Sequence, residues 1–587
     1  MKILKFSFAF ILALFMTAAV NAQAPMGVDY FLLGEHSKAK MFFEKELASN
    51  PEMANFYLGQ IAYLEQDTQK AEEYYKKGLS ANPNSAYNAI GMAKLQLKAD
   101  PKGGESALLA IAKKSKKDID VLVAVGRAFM VADMFKQAEK IHAEAKKAAG
   151  KNPVVYVFEG DLIFASNNKA AEKAGEAGGK YEMATYFDEN YPLGYLKTAQ
   201  IYQKINAVLA TQKLEILVEK NPNYTIAYGM LGRLYAQRGF YDRAIEAFKK
   251  YFDAGIYSTD DIEMYARVNY FSDLYDKARE LVNNGLKNDP NHFVLNRYNM
   301  YISAKSKDAN GLKDAEKFFS LRADTGYISL DYSMYAMILD NAQRYKEAFA
   351  QYDKAISMDP SNVEIYNDAI SSARKRKDYA LAAAYLKTQM EKKAELGRAD
   401  DPDYADDIVD ITALGYDYYS AGSSISKTPE LAAEYMKDKS IIDMLAMADP
   451  SLSAAQLASD AEYFTKAYSL YYLQKADGMF DTLIARIPDS YTGHRYKALT
   501  QHAINDSTDL GLAKPHYEKV VVILEKVDEL TAANKRVLLE AYNYLGYYFY
   551  MKNDKDNTIL YWGKVLEIDP QNANAKLVLD AMKNEGK

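Results

Sequence analysis

Residues 225–256 read TIAYGMLGRLYAQRGFYDRAIEAFKKYFDAGI, with Tyr228, Leu231, Gly232, Tyr235, Ala244 and Phe248 at offsets that return along the chain. Residues 329–360 repeat them with Tyr332, Tyr345, Ala348, Tyr352, Ala355 and Pro360. Residues 539–570 do so with Tyr542, Leu545, Gly546, Phe549, Trp562 and Pro570. Looser copies gather around Gly27, Tyr30, Gly34, Ala39, Phe43 and Pro51, around Leu58, Gly59, Ala71, Tyr75 and Pro83, and around Val125, Gly126, Phe129 and Ala138. Leu414, Gly415 and Tyr418 begin one further unit, and Ala476, Phe480 and Pro488 read as the close of another. Such self-similarity marks a repeat architecture. One copy cannot bury its apolar face alone, so a good copy predicts neighbours.

The order of these residues resembles the signature of the tetratricopeptide repeat, with Tyr in place of the usual Trp. The resemblance covers most of residues 24–584. It implies an all-α fold, an α-solenoid of about twelve helix-turn-helix repeats wound into a right-handed superhelix. The offsets have physical causes. Gly232 and Ala244 fall where two helices cross, and a large residue there would overpack the contact. Tyr235 and Phe248 fill the gap between layers. Asn-Pro and Asp-Pro pairs, such as Asn82-Pro83, Asn221-Pro222, Asp289-Pro290 and Asp359-Pro360, close the second helix of a unit, because the residue before proline disfavours the α region.

Residues 1–22 read as an export signal: Lys2 and Lys5, an apolar run from Phe6 to Met16, and Val20-Asn21-Ala22 as a cleavage site. The apolar run is short for a bilayer span. Residues 23–395 then form an N-terminal array, and residues 408–587 a C-terminal array closed by a capping helix at 573–584. Between them LGRADDPDYADD, residues 396–407, interrupts the helical pattern as an acidic boundary. Residues 165–180 read as a loosened helix or loop, and Thr428-Pro429 as a helix start.

Hydrophobic residues make up 49% and charged residues 26%, which suits a folded soluble protein. Tyr occurs 49 times beside a single Trp, so Tyr has taken over the large-aromatic positions of the repeat. The net charge is −6, without an extended basic block, which argues against nucleic acid as a partner. The one unbroken run of four basic residues, Arg374 to Lys377, reads as a solvated turn between helices. With no Cys there is no disulfide, thiolate metal site, catalytic thiol or lipid-carrying cysteine. An exported, cysteine-free chain fits a bacterial periplasm, and peripheral association with the outer membrane is the expected attachment.

No catalytic constellation stands out. The six histidines include no pair three or four apart, so no single helix presents a two-histidine metal face. The acidic run at Asp400, Asp401, Asp403, Asp406, Asp407 and Asp410 lacks the Gly and Glu of a calcium loop and suits a helix N-terminus instead. No metal, no cofactor and no enzymatic activity are expected.

In tetratricopeptide proteins the first helix of each repeat lines a concave groove. Carried over, the groove positions give Gln60 and Tyr63, Arg233 and Gln237, Arg267, Tyr270 and Phe271, Asn367, Ser371 and Arg374, Tyr416 and Tyr419, and Asn543, Tyr547 and Tyr550. Tyr, Asn and Arg suit protein recognition. The same aromatics could instead pack against the next repeat. The resemblance therefore implies a periplasmic scaffold that binds proteins or peptides of the cell envelope, in assembly of outer-membrane or secretion machinery. The alternative is a glycan- or peptidoglycan-binding module, with sugar rings stacked on tyrosines.

Overall fold

A computed structural model describes residues 26–166, 171–322, 325–395, 408–505 and 508–584. The export signal at 1–22 and the acidic boundary at 396–407 lie outside them. The described residues form helices and turns with no strand. They are the hairpins of an all-α solenoid. The chain divides into two compact units, Met1–Ile302 and Ser303–Lys587.

In unit 1, a short hairpin of helix 26–32 and His36–Glu46 precedes seven longer ones. The hairpin read first in the sequence is Thr225–Gln237 followed by Tyr241–Phe252. Leu231, Tyr235, Ala244 and Phe248 are all buried there. A Cβ on Gly232 would lie 2.8 Å from the Phe248 ring, so glycine lets the two helices close. The device recurs with a wedge: Tyr75, fully buried, would meet a Cβ on Gly59 at 2.4 Å and one on Gly91 at 2.5 Å. One ring thus fixes the spacing of two successive repeats. Second helices do end at the predicted Asn82, Asn221, Asp289 and Asp359, as Thr68–Ala81 does at Asn82. Pro51 differs, because it opens a helix at its first turn, with the Asn50 side chain accepting from Met53 N at 3.4 Å.

Of the loosened stretch at 165–180, residues 167–170 lie outside the described residues, and a helix runs from Ala174 to Phe187, because Ala177, Tyr181 and Ala184 supply a buried stripe despite the glycines.

In unit 2, the fragments at 414–418 and 476–488 are one hairpin, not two units. Ile408–Ser424 pairs with the C-terminal part of Ala461–Arg486, where a Cβ on Gly415 would lie 2.8 Å from Phe480. The chain between them carries Pro429–Tyr435 and Lys439–Ala448, which build a separate small core of Leu431, Ile442, Leu445, Leu457, Phe464 and Tyr468. Thr428 does sit ahead of Pro429, but its hydroxyl donates back to Ser424 O and Ile425 O at 3.2 Å rather than capping the helix. The helices flanking 396–407 share a core, with Ala382, Ala383 and Leu386 packed with Ile411, Leu414 and Tyr418.

Candidate functional site

The first helices of the repeats carry the groove positions, and the two units use them differently. In unit 1 much of that face is covered by the chain's own first hairpin. Tyr224 donates to Asp29, Gln200 Nε2 donates to Leu33 O at 2.7 Å, and Lys45 Nζ donates to Gly255 O at 3.2 Å. Leu32 packs against the core of Tyr156, Val157, Tyr181 and Leu193.

At the centre of this seam lies a charged cluster. Asp261, with no solvent exposure, accepts from Arg233, from Tyr251 Oη at 3.0 Å and from Ser258 N at 2.8 Å, and pairs with Lys38 Nζ at 3.0 Å. Arg233 also reaches Glu35 at 3.4 Å, and Lys38 reaches Glu35 at 3.1 Å. Burial alone would raise the Asp261 carboxyl, but Arg233 and Lys38 together hold it below the ordinary carboxylate value. Asp161 repeats the arrangement with Arg127 at 2.7 Å and Lys197 at 3.0 Å, and burial is again outweighed, so its carboxyl is also lowered. Asp29 has only partial compensation from Lys197, and burial pushes its carboxyl well above the usual range.

Several other expected groove residues of unit 1 are occupied. Tyr63 is half-buried beneath Lys94, whose Nζ lies 3.9 Å from the ring centroid. Lys94 is 1% exposed and donates to Gln60, and burial pushes its ammonium down to about 7. Tyr270 is a core residue, 7% exposed and packed on Tyr298 at 5.5 Å, so the packing alternative describes it. Arg267 lies over Met264, and Gln237 is exposed. Phe271, also exposed, stacks on Tyr241 at 5.7 Å.

Unit 2 presents aromatic rings outward. Tyr416, Tyr547 and Tyr550 are 41%, 47% and 42% exposed. Three first helices are tied along one face. Tyr416 meets Tyr496 edge-on at 5.7 Å, and half-buried Tyr419 meets it at 6.1 Å. Arg495, next to Tyr496, grips Glu540 through two nitrogens at 3.1 and 2.6 Å. Tyr547 lies two helical turns beyond Glu540, and Asn543 and Tyr550 sit one turn to either side of Tyr547. Asn543 Nδ2 donates to Leu539 O at 2.7 Å, and exposed Asn367 accepts from Gln389 at 2.8 Å.

The basic cluster is not a solvated turn. Arg374 forms a bidentate pair with buried Asp417 at 2.9 and 2.7 Å, Lys375 pairs with Asp340 at 3.0 Å, and Arg376 pairs with Glu434. Each joins a different helix, which local charge spacing could not show.

Sequence reasoning also missed a histidine pair. His494 Nδ1 and His516 Nδ1 lie 3.3 Å apart, and His494 Nε2 lies 3.0 Å from Pro488 O. That carbonyl accepts, so Nε2 carries the proton and Nδ1 accepts from His516. Burial lowers both imidazoles. Among the described residues no group of three or more His, Cys, Asp or Glu is arranged to hold a metal ion. No helix among them is long and apolar enough to cross a membrane.

Residues 27–86, 210–259 and 336–388 match the family model of the tetratricopeptide repeat. Among solved structures, the C-terminal part of a TPR repeat-containing protein from Cytophaga hutchinsonii is 22% identical, with a TM-score of 0.33, over 59% of this chain and 97% of that one. A tetratricopeptide repeat protein from Parabacteroides merdae is 20% identical, with a TM-score of 0.29, over 43% of this chain and 96% of that one. YrrB, a TPR protein with an unusual peptide-binding site, is 18% identical, with a TM-score of 0.26, over 32% of this chain and 95% of that one. No curated protein matches the chain significantly.

Proposed function

We propose that the chain is a non-enzymatic scaffold of tetratricopeptide repeats that holds other proteins of the cell envelope on the tyrosine-bearing face of unit 2. The observation that carries this is the exposure of Tyr416, Tyr547 and Tyr550 on first helices whose neighbouring side chains lock into a rigid frame. Large rings with few rotors give contact area at little entropic loss, and a frame that is already ordered lowers the cost of binding further. Lys2, Lys5, the apolar run behind them and the lack of Cys support an exported, periplasmic location. Assembly of outer-membrane or secretion machinery is a role that such a scaffold fits.

The test is capture from envelope extracts with the full chain as bait, with and without crosslinking. A specific protein retained by the native chain and lost from the Tyr416→Ala, Tyr547→Ala double variant is the expected result. Retention by both, or no specific protein at all, overturns the reading. Saturable binding to purified sacculus that the double variant loses would instead favour the glycan-binding module.

A further inference from the structure

The first hairpin of unit 1 touches helices that follow it by roughly two hundred residues, as in Lys38 to Asp261 and Gln200 to Leu33. Besides that separation in sequence, two features mark this contact. Its centre is polar: Asp29 to Tyr224, Glu35 to Arg233, Lys38 to Asp261 and Gln200 to Leu33. The seam also keeps a cavity of about 90 Å³, bordered by Tyr30, Glu35 and Lys38 on the hairpin and by Gln203, Met230 and Arg233 opposite. Joints between repeats carry ion pairs too, as at Arg127 and Asp161, and some are closed by rings on glycine, as Tyr75 is on Gly59 and Gly91. A polar, hydrogen-bonded and incompletely filled seam has the character of an association between separable parts.

We propose that the face made by Pro192–Tyr202, Thr225–Gln237 and the start of Thr259–Phe271 is a receptor for an amphipathic helical segment that carries a carboxylate three residues before an amine, and that hairpin 26–46 is the ligand occupying it at rest. The chemistry of the fit is explicit. Glu35 meets Arg233, Lys38 meets Asp261, and the two ligand charges also pair with each other across one helical turn at 3.1 Å. Apolar Leu32 sits against the core on the neighbouring helices. A partner helix with the same acid–amine pair would compete for the face and displace the hairpin about the exposed turn at Leu47, Ala48 and Ser49. This surface is distinct from the tyrosine face of unit 2, and it is closed until the hairpin leaves.

A fluorescently labelled peptide of residues 26–46 tests this on the full chain. The tethered hairpin competes at a high effective concentration, so the wild-type chain should bind the peptide weakly. The hairpin-side double variant Glu35→Lys, Lys38→Glu repels its own receptor face but leaves that face unchanged, and it should bind the peptide at least ~10-fold more tightly. The receptor-side double variant Arg233→Glu, Asp261→Lys should not bind it, and should recover binding to a peptide with the two charges exchanged. Equal binding to all three chains, or none to any, overturns the proposal. Hydrogen exchange on Lys38→Gln keeps the test decisive if the charge reversals disturb folding. Faster exchange confined to residues 26–46 supports a separable ligand, and uniform acceleration across unit 1 sinks it.

Discussion

Asp261 in unit 1 and Asp417 in unit 2 are both fully buried, and each takes an arginine from the preceding first helix, Arg233 and Arg374. Their carboxyls nevertheless move in opposite directions. At Asp417, burial dominates and one partly exposed arginine cannot offset it, so the carboxyl is raised. At Asp261, the second cation, Lys38 from the first hairpin, tips the balance and the carboxyl is lowered. The added ammonium, with the Ser258 N–H beside it, therefore separates a group that favours the charged form from one that resists it. The contrast also describes the two units: one closes its first-helix face with an ion cluster, and the other leaves tyrosines outside.

The largest expected effect is at Asp261. Asp261→Ala leaves Lys38, which is 4% exposed, with Glu35 at the edge of the cluster as its remaining carboxylate, and should cost ~3–5 kcal/mol in urea unfolding. Asp417→Ala leaves Arg374 with a side chain 38% exposed, so water replaces part of what is lost, and ~1–2 kcal/mol is expected. Equal losses would erase the distinction between the two clusters. The pH dependence has opposite signs. A lowered carboxyl contributes stability that is present above its unfolded value, near ~4, and is lost as pH falls through the folded value, so the seam of unit 1 should loosen in acid. A raised carboxyl contributes below the unfolded value and loses that contribution as pH rises through the folded one, so Asp417→Asn should flatten the loss above ~4.

Lys94 sharpens the comparison within unit 1, because it is a buried cation without a carboxylate. Its folded value of about 7 lies below the ordinary lysine value of 10.5, so the folded state binds fewer protons between them and wild-type stability rises with pH across that window. Lys94→Met should stabilise unit 1 by ~1–3 kcal/mol at pH 6, with the gain shrinking toward pH ~10, as followed by thermal melts. A variant that melts lower at every pH would mean that the bond to Gln60 and the Tyr63 ring outweigh desolvation.

The hairpins were legible in the sequence because their determinants are local. Gly232 opposite Phe248, or Ala244 at a crossing, leaves a mark within one repeat. What failed to show was everything joined across distance. Arg374 to Lys377 looked like a solvated turn because Asp417, Asp340 and Glu434 lie 35 or more residues from the cations they meet. His494 and His516 come together only because two helices are neighbours. Gly415 and Phe480 looked like parts of two repeats because an inserted core separates the halves of their hairpin. The groove list had a similar limit. It selected Tyr270 and Tyr547 by the same offset rule, yet Tyr270 has Tyr298 and Tyr301 around it, and Tyr547 is 47% exposed. Whether an aromatic at a groove offset is covered depends on the neighbouring repeat, and one repeat does not encode that.

The smallest expected effect on stability belongs to Tyr416→Ala combined with Tyr547→Ala. Both rings are more than two-fifths exposed, so truncating them should change unfolding by no more than ~0.5 kcal/mol each. The frame beneath them remains, since Arg495 still holds Glu540 and Phe480 still stacks on Tyr496 at 5.5 Å. A substantial loss of stability would show that the rings pack against unit 2 more than their exposure indicates, and the tyrosine face would then be core rather than surface. Unchanged stability with lost partner capture would instead separate folding from binding on unit 2.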